Sequence, residues 1–179
     1  MNYVIVDLEA TCWEKGSSPK RMEIIEIGAV KMDGSTFEKL SEFSSFVKPV
    51  QEPILSDFCT ELTSITQKDV DSVPVFPEVF KDFLKWIGYE PYYLCSWGEY
   101  DLKQFKIDCE RNSILLPNGF KNHLNIKKKF CELHGIRSCG MKRALQILEI
   151  PMEGTHHRGI DDARNIAKIF RWILQRNEI

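Results

Sequence analysis

Residues 3–9 read Tyr3-Val4-Ile5-Val6-Asp7-Leu8-Glu9, and residues 23–32 read Glu23-Ile24-Ile25-Glu26-Ile27-Gly28-Ala29-Val30-Lys31-Met32, followed by Asp33-Gly34. The first is a short apolar run that ends in acidic residues; the second is β-branched and closed by a turn dipeptide, so both read as strands. A third strand is expected over residues 38–47, alternating around Leu40, Phe43 and Phe46. Three strands in succession, with a tight turn at Asp33-Gly34, predict an antiparallel meander. After Pro53 the pattern becomes helical. Helices are expected over residues 55–62, after a Thr66 cap, and over 77–87, where Val79, Phe80, Phe83, Leu84 and Ile87 share one face. Tyr92-Tyr93-Leu94-Cys95-Ser96 predicts a buried strand and residues 100–112 a helix. The last third reads as mainly helical, with a short strand at residues 123–126. It ends in the longest helix, where Ala163, Ile166, Ala167, Phe170, Ile173 and Leu174 form one apolar stripe. Strands first, then strands alternating with helices, give an α/β class: a mixed sheet with helices against its faces.

The 179 residues suit a single domain over residues 1–179, and 43% hydrophobic with 28% charged residues is the composition of a packed globular chain. Met1 runs directly into the first strand without the features of a secretory signal, and no apolar run reaches the roughly 18 residues a membrane span needs. The expectation is an intracellular, cytoplasmic protein with no membrane partner and no separate RNA-binding domain. The six cysteines show no C-x-x-C pairing, so reduced thiols are expected. A zinc set of Cys131, His134 and Cys139 would lack a fourth ligand. A net charge of −2 argues against coating long nucleic acid, which requires neutralising many phosphates, but not against gripping a few nucleotides at one end.

Side chains two apart on a strand point the same way, so Asp7 and Glu9 project together. Two like charges so placed raise each other's pKa unless a cation sits between them, and a hard divalent ion such as magnesium or manganese is the natural counter-charge. Alone, Asp-x-Glu reads as an exposed acidic strand end. A second acidic pair, Asp161-Asp162, opens the last helix. Asp161 suits a helix cap, while Asp162, beside the first residue of the apolar stripe, should face the core, where a carboxylate needs a partner. His157 lies five residues before Asp162 in a glycine-containing loop, with His156 beside it. Asp101 follows a strand and a loop at the start of a helix, the end of an α/β sheet at which sites form.

Asp-x-Glu in the first strand, Asp101 in the middle and His-x-x-x-x-Asp before the last helix together resemble the DEDDh exonucleases of the ribonuclease H-like superfamily. Residues 55–66 and 159–167 are similar to the subgroup related to the histone-mRNA 3′ exonuclease, and the resemblance covers roughly residues 2–176. It implies a five-stranded mixed sheet, an antiparallel meander followed by parallel strands. It also implies a hydrolase that removes nucleoside 5′-monophosphates from the 3′ end of a single strand, RNA rather than DNA. The alternatives are a DNA-preferring relative or a nucleic-acid-binding module without catalysis. Two divalent ions, Mg2+ or Mn2+, would be held by Asp7, Glu9, Asp101 and Asp162, with His157 as general base. Phe58, Leu62, Thr63 and Tyr100 would meet the terminal base, and Ala10 and Thr11 the sugar. Lys127, Lys128, Lys129, Lys142 and Arg143 would form a basic track for upstream phosphates, and Arg158 would touch the histidine or a phosphate.

Overall fold

The computed structural model describes residues 1–16 and 18–176. Strands β1 (Asn2–Ala10), β2 (Ile24–Met32), β3 (Lys39–Phe46), β4 (Tyr92–Ser96) and β5 (His123–Asn125) form one sheet in the order β3-β2-β1-β4-β5. The first three pair antiparallel, and β4 and β5 add parallel to β1. This is the mixed, ribonuclease H-like sheet expected from the sequence. Seven α-helices accompany it among the described residues, besides a 3-10 turn at Asn118–Lys121: α1 (Asp57–Thr63), α2 (Gln67–Asp71), α3 (Phe76–Ile87), α4 (Tyr100–Arg111), α5 (Ile126–Leu133), α6 (Met141–Ile147) and α7 (Gly159–Leu174). None is long and apolar enough to cross a membrane.

The alternation of β1 sorts its side chains between two cores. Val4, Val6 and Leu8 pack with Phe80 and Phe83 of α3 and Phe105 of α4, while Ile5 packs with Phe130 of α5 and Ile166 and Phe170 of α7. Asp7 and Glu9 share the parity of Ile5, so the period of two delivers both carboxylates to the face that α7 covers. The α7 stripe is as expected, with Ile169 buried in addition and Ala167 at its margin. Burying a side chain the size of Phe170 or Ile166 stabilises by about 1.5–3 kcal/mol each, which is what holds α7 on the sheet.

Two expectations are corrected. The β2–β3 connection is not a tight Asp33-Gly34 turn but runs over residues 33–38. Asp33 Oδ1 accepts from the N–H groups of Ser35 and Thr36, both at 2.8 Å, and so stabilises a wider loop that closes through Phe37 in the left-handed region. Asp161 is not the cap of α7. The helix begins at Gly159, which places Asp161 inside its first turn.

What seats the start of α7 is a contact between two glycines. A Cβ on Gly28 would lie 2.0 Å from the Gly159 carbonyl carbon, and one on Gly159 would lie 3.0 Å from the Asp7 carbonyl oxygen. Gly28 is also the register partner of Asp7. The bare backbones therefore let the first turn of α7 rest directly on β1 and β2, beside the acidic strand end.

Candidate active site

Asp7, Glu9 and Asp162 bring carboxylate oxygens within 4.8 Å of one another. Asp7 is half-buried, and Glu9 and Asp162 are buried. Among the described residues neither Asp7 nor Glu9 accepts a side-chain hydrogen bond or has an ion-pair partner. Burial, followed by the charges of Asp101, Glu9 and Asp162, pushes the Asp7 acid well above its ordinary range. Burial, then Asp162 and Glu26, pushes Glu9 up to about 9. A site of concentrated negative charge without its own cations, offering only oxygen donors, fits a hard divalent ion.

Asp101 is buried and stands outside this trio. Its Oδ1 accepts from the Leu8 N–H at 3.0 Å, which ties α4 to β1, and burial raises its acid to about 6. Asp162 is held by the loop before α7. His156 Nδ1–H donates to its Oδ2 at 2.9 Å, and the His157 backbone N–H donates to the same oxygen at 3.0 Å. The two imidazoles stack with centroids 4.0 Å apart. His157 adopts a positive φ of 63°, which costs a non-glycine residue about 1 kcal/mol and is held here by its neighbours. Burial, then the neighbouring His156, lowers the His157 pKa, with Asp162 opposing. The sequence singled out His157. The structure places both histidines on the cleft, and the imidazole hydrogen-bonded to Asp162 is that of His156.

The loop bearing the histidines is built by α7 itself. Asp161 Oδ2 accepts from Thr155 N–H at 2.9 Å, and buried Asn165 binds Glu153 in both directions, at 3.0 Å and 2.8 Å. Glu26 does the capping expected of Asp161: its Oε2 accepts from Gly159 N–H at 2.9 Å. Arg158 pairs with Glu26 at 3.2 Å and is not turned to the histidine. Sequence reading overlooked Glu26 and Asn165. The signals for them were an acid inside an apolar strand and an Asp161–Asn165 step of four on the helix.

The carboxylates and histidines line a cleft of about 430 Å³ together with Ala10, Cys12, Leu62, Trp97, Tyr100 and Met141. Of the residues expected to meet substrate, Ala10, Leu62 and Tyr100 are brought to this cleft, and the other three are not among its walls. The Thr11 hydroxyl accepts from Glu23 N–H at 3.0 Å. The Thr63 hydroxyl donates to the Cys59 carbonyl and accepts from Ile65 N–H within the turn after α1. Phe58 is exposed outside the cleft. Lys127 and Lys128 line a neighbouring groove with Arg137, while Lys142 and Arg143 are exposed on α6. Cys131, His134 and Cys139 form no metal set among the described residues, and the His134 ring stacks on Phe130 instead.

Residues 4–170 match the RNase T exonuclease family. The chain is 35% identical over 185 residues to ERI1 exoribonuclease 2 of Danio rerio, covering 92% of this chain and 33% of that protein. It is 34% identical to the human 3′-5′ exoribonuclease 1, covering 96% of this chain and 52% of the other. The chain thus spans about half the length, or less, of these relatives. The nuclease domain of 3′hExo, a DEDDh family member solved bound to rAMP, superposes with a TM-score of 0.91 at 32% identity, covering 98% of this chain and 92% of that one. DEDDh exonucleases use divalent metals, which agrees with the carboxylate oxygens that Asp7 and Glu9 of β1 and Asp162 of α7 bring together. On sequence and fold, this chain belongs to the RNase T exonuclease family, in its DEDDh branch.

Proposed function

We propose that residues 1–179 form one exonuclease domain that hydrolyses single-stranded RNA from its 3′ end and releases nucleoside 5′-monophosphates. The observation that carries this reading is the Asp7, Glu9 and Asp162 trio, in which Asp7 and Glu9 have no ion-pair partner among the described residues, flanked by two histidines on one cleft. Relatives described as exoribonucleases, and a neighbour with rAMP bound, favour RNA over DNA.

Asp7, Glu9, Asp101 and Asp162 would hold two divalent ions; Mg2+ and Mn2+ both suit such oxygen donors. When bound, the ions supply neutralisation of phosphate charge and a more acidic attacking water. The protein's own groups do the rest. His157, with its pKa lowered, is neutral near pH 7 and can take the proton of the attacking water. Its backbone N–H and the His156 imidazole both hold Asp162, so the base and the carboxylate are positioned by the same short loop. Leu62 and Tyr100 flank the terminal nucleotide, and Ala10 offers backbone beside its sugar. Lys127, Lys128 and Arg137 offer positive charge to phosphates further upstream.

The test is a gel. The purified protein is incubated with 5′-labelled RNA and the matching DNA in manganese, magnesium or chelator, beside Asp7→Asn and His157→Ala. A metal-dependent ladder shortening from the 3′ end, faster on RNA and lost in both variants, is the expected result. Faster trimming of DNA would reassign the substrate. No shortening of either strand would leave a binding module.

A further inference from the structure

A row of residues across three strands meets the start of α7. Glu26 of β2 lies opposite Glu9 of β1 and Phe46 of β3. Residues directly opposite one another share a face, so the Glu26 carboxylate stands on the side of the sheet that α7 covers. It is only 1% exposed, yet the cluster of carboxylate oxygens formed by Asp7, Glu9 and Asp162 does not include it. Its oxygens are taken by the entry to α7 instead. Oε2 accepts from the Gly159 N–H at 2.9 Å and from Arg158 Nε at 3.2 Å, and Oε1 accepts from Arg158 Nη2 at 3.2 Å. The Arg158 guanidinium also lies 5.2 Å from the centre of the Phe46 ring, across the same row. A Cβ on Gly159 would come within 3.4 Å of Glu26 Cγ, so Gly159 rests against the side chain that caps it.

His157 immediately precedes the two residues that Glu26 holds. Its φ of 63° is a conformation that a non-glycine residue keeps only where its surroundings impose it. Two acids do so from opposite sides: Asp162 accepts the His157 N–H at 3.0 Å, and Glu26 fastens Arg158 and Gly159. Asp162 also belongs to the acidic trio, whereas Glu26 serves the loop alone and is anchored in the sheet rather than in α7. We infer that Glu26, with Arg158, is a positioning residue for hydrolysis, acting through the backbone of residues 157–159 to aim the His157 imidazole at the attacking water. This rests on the hydrolytic reading with His157 as base. The clamp matters because a shift of about 1 Å in a reacting group costs roughly 10²-fold in rate.

The test is a double-mutant cycle on labelled RNA at saturating manganese, with Glu26→Ala and Arg158→Ala each made in the parent and in His157→Ala. Glu26→Ala should lower kcat roughly 10²-fold, with KM and the manganese affinity of the free protein unchanged. Arg158→Ala leaves the Gly159 cap in place and should lower kcat roughly tenfold. Neither should cost anything further in His157→Ala, because a residue that works through another has no effect once the other is gone. Glu26→Gln keeps an oxygen for the Gly159 N–H and should recover most of the rate. Additive losses, a raised KM or weaker manganese binding would overturn the inference. So would a Gln variant as slow as the Ala one, since charge rather than placement would then be at work. Should Glu26→Ala not fold, Arg158→Ala, at a partly exposed side chain, decides the cycle alone. Placement is also read without any nuclease assay, by hydrogen exchange of the full chain in chelator. The His157 and Gly159 amides should exchange about tenfold faster in Glu26→Ala, with those of β1 unchanged. Unchanged exchange at both amides would sink the inference whatever the activity. Faster exchange in a protein whose parent trims nothing would overturn the hydrolytic reading and not the clamp.

Discussion

Glu23 and Asp108 are as buried as Glu9 of the Asp7 and Glu9 pair, yet the two groups of acids are treated differently by the chain. Glu23 accepts three backbone N–H groups, from Val50, Gln51 and Glu52, at 2.8–2.9 Å. Asp108 is paired with Arg111 and accepts from Gln104 Nε2 at 2.8 Å and from Ile24 N–H at 3.3 Å. Those partners hold back the effect of burial, and the Asp108 acid rises only to about 6. Glu9, without such partners, rises to about 9. A buried acid surrounded by donors is part of the fold, because its charge is already balanced where it sits. Buried acids that face one another without donors hold a place for a charge from outside.

Variants that neutralise one acid in each group break the comparison most sharply. Asp7→Asn should reduce 3′ trimming by roughly 10²–10³-fold or more, while its melting temperature in chelator stays level or rises because a repulsion is removed. An active Asp7→Asn enzyme, or one inactive only because it unfolds, would dissolve the distinction. Asp108→Ala should behave in the opposite sense. Leaving Arg111 and Gln104 without their partner should cost about 3 kcal/mol in urea unfolding, with the rate per folded molecule little changed.

The pH dependence of stability sharpens the contrast next. Glu9 is raised from 4.5 to about 9 in the folded protein, so between these values the folded state holds more protons than the unfolded one. In chelator this contribution is fully present below about 4.5 and is lost as pH rises through about 9. Thermal unfolding of Glu9→Gln should show a flatter pH profile than the parent. An identical profile would mean that Glu9 is not strained by its neighbours. The smallest effect is expected at His156, whose imidazole holds Asp162. Removing this one charge-assisted hydrogen bond in His156→Ala should cost about 1.5 kcal/mol, or roughly tenfold in rate. His157→Ala should lose considerably more, and the reverse ranking would make His156 the base.

The sequence made the site's acids legible wherever regular periodicity positions a side chain. A strand period of two put Asp7 and Glu9 on one side, and the helical stripe starting at Ala163 turned Asp162 inward. Asp101 was legible as the entry to a helix after a strand. The failures lie where irregular backbone chooses its partners only after the chain has folded. Nothing local says that Glu26 would cap α7, or that His156 would take the Asp162 oxygen while His157 contributes a backbone N–H. Thr11 and Thr63 were assigned to substrate, but their hydroxyls complete hydrogen bonds of the nearby backbone. A hydroxyl's partner depends on the nearest unmet donor, which a one-dimensional pattern does not reveal.

The junction of Gly28 and Gly159 carries a different lesson. Neither residue bears a proton, a charge or a ligand atom in its side chain, yet together they determine how near Asp162 comes to Asp7. In a scan of every substitution scored by activity alone, these two positions would be as intolerant as the acids and would be mistaken for participants in the chemistry. A redesign that grafts the four acids onto another sheet would have to reproduce that missing volume before any of the acids could meet.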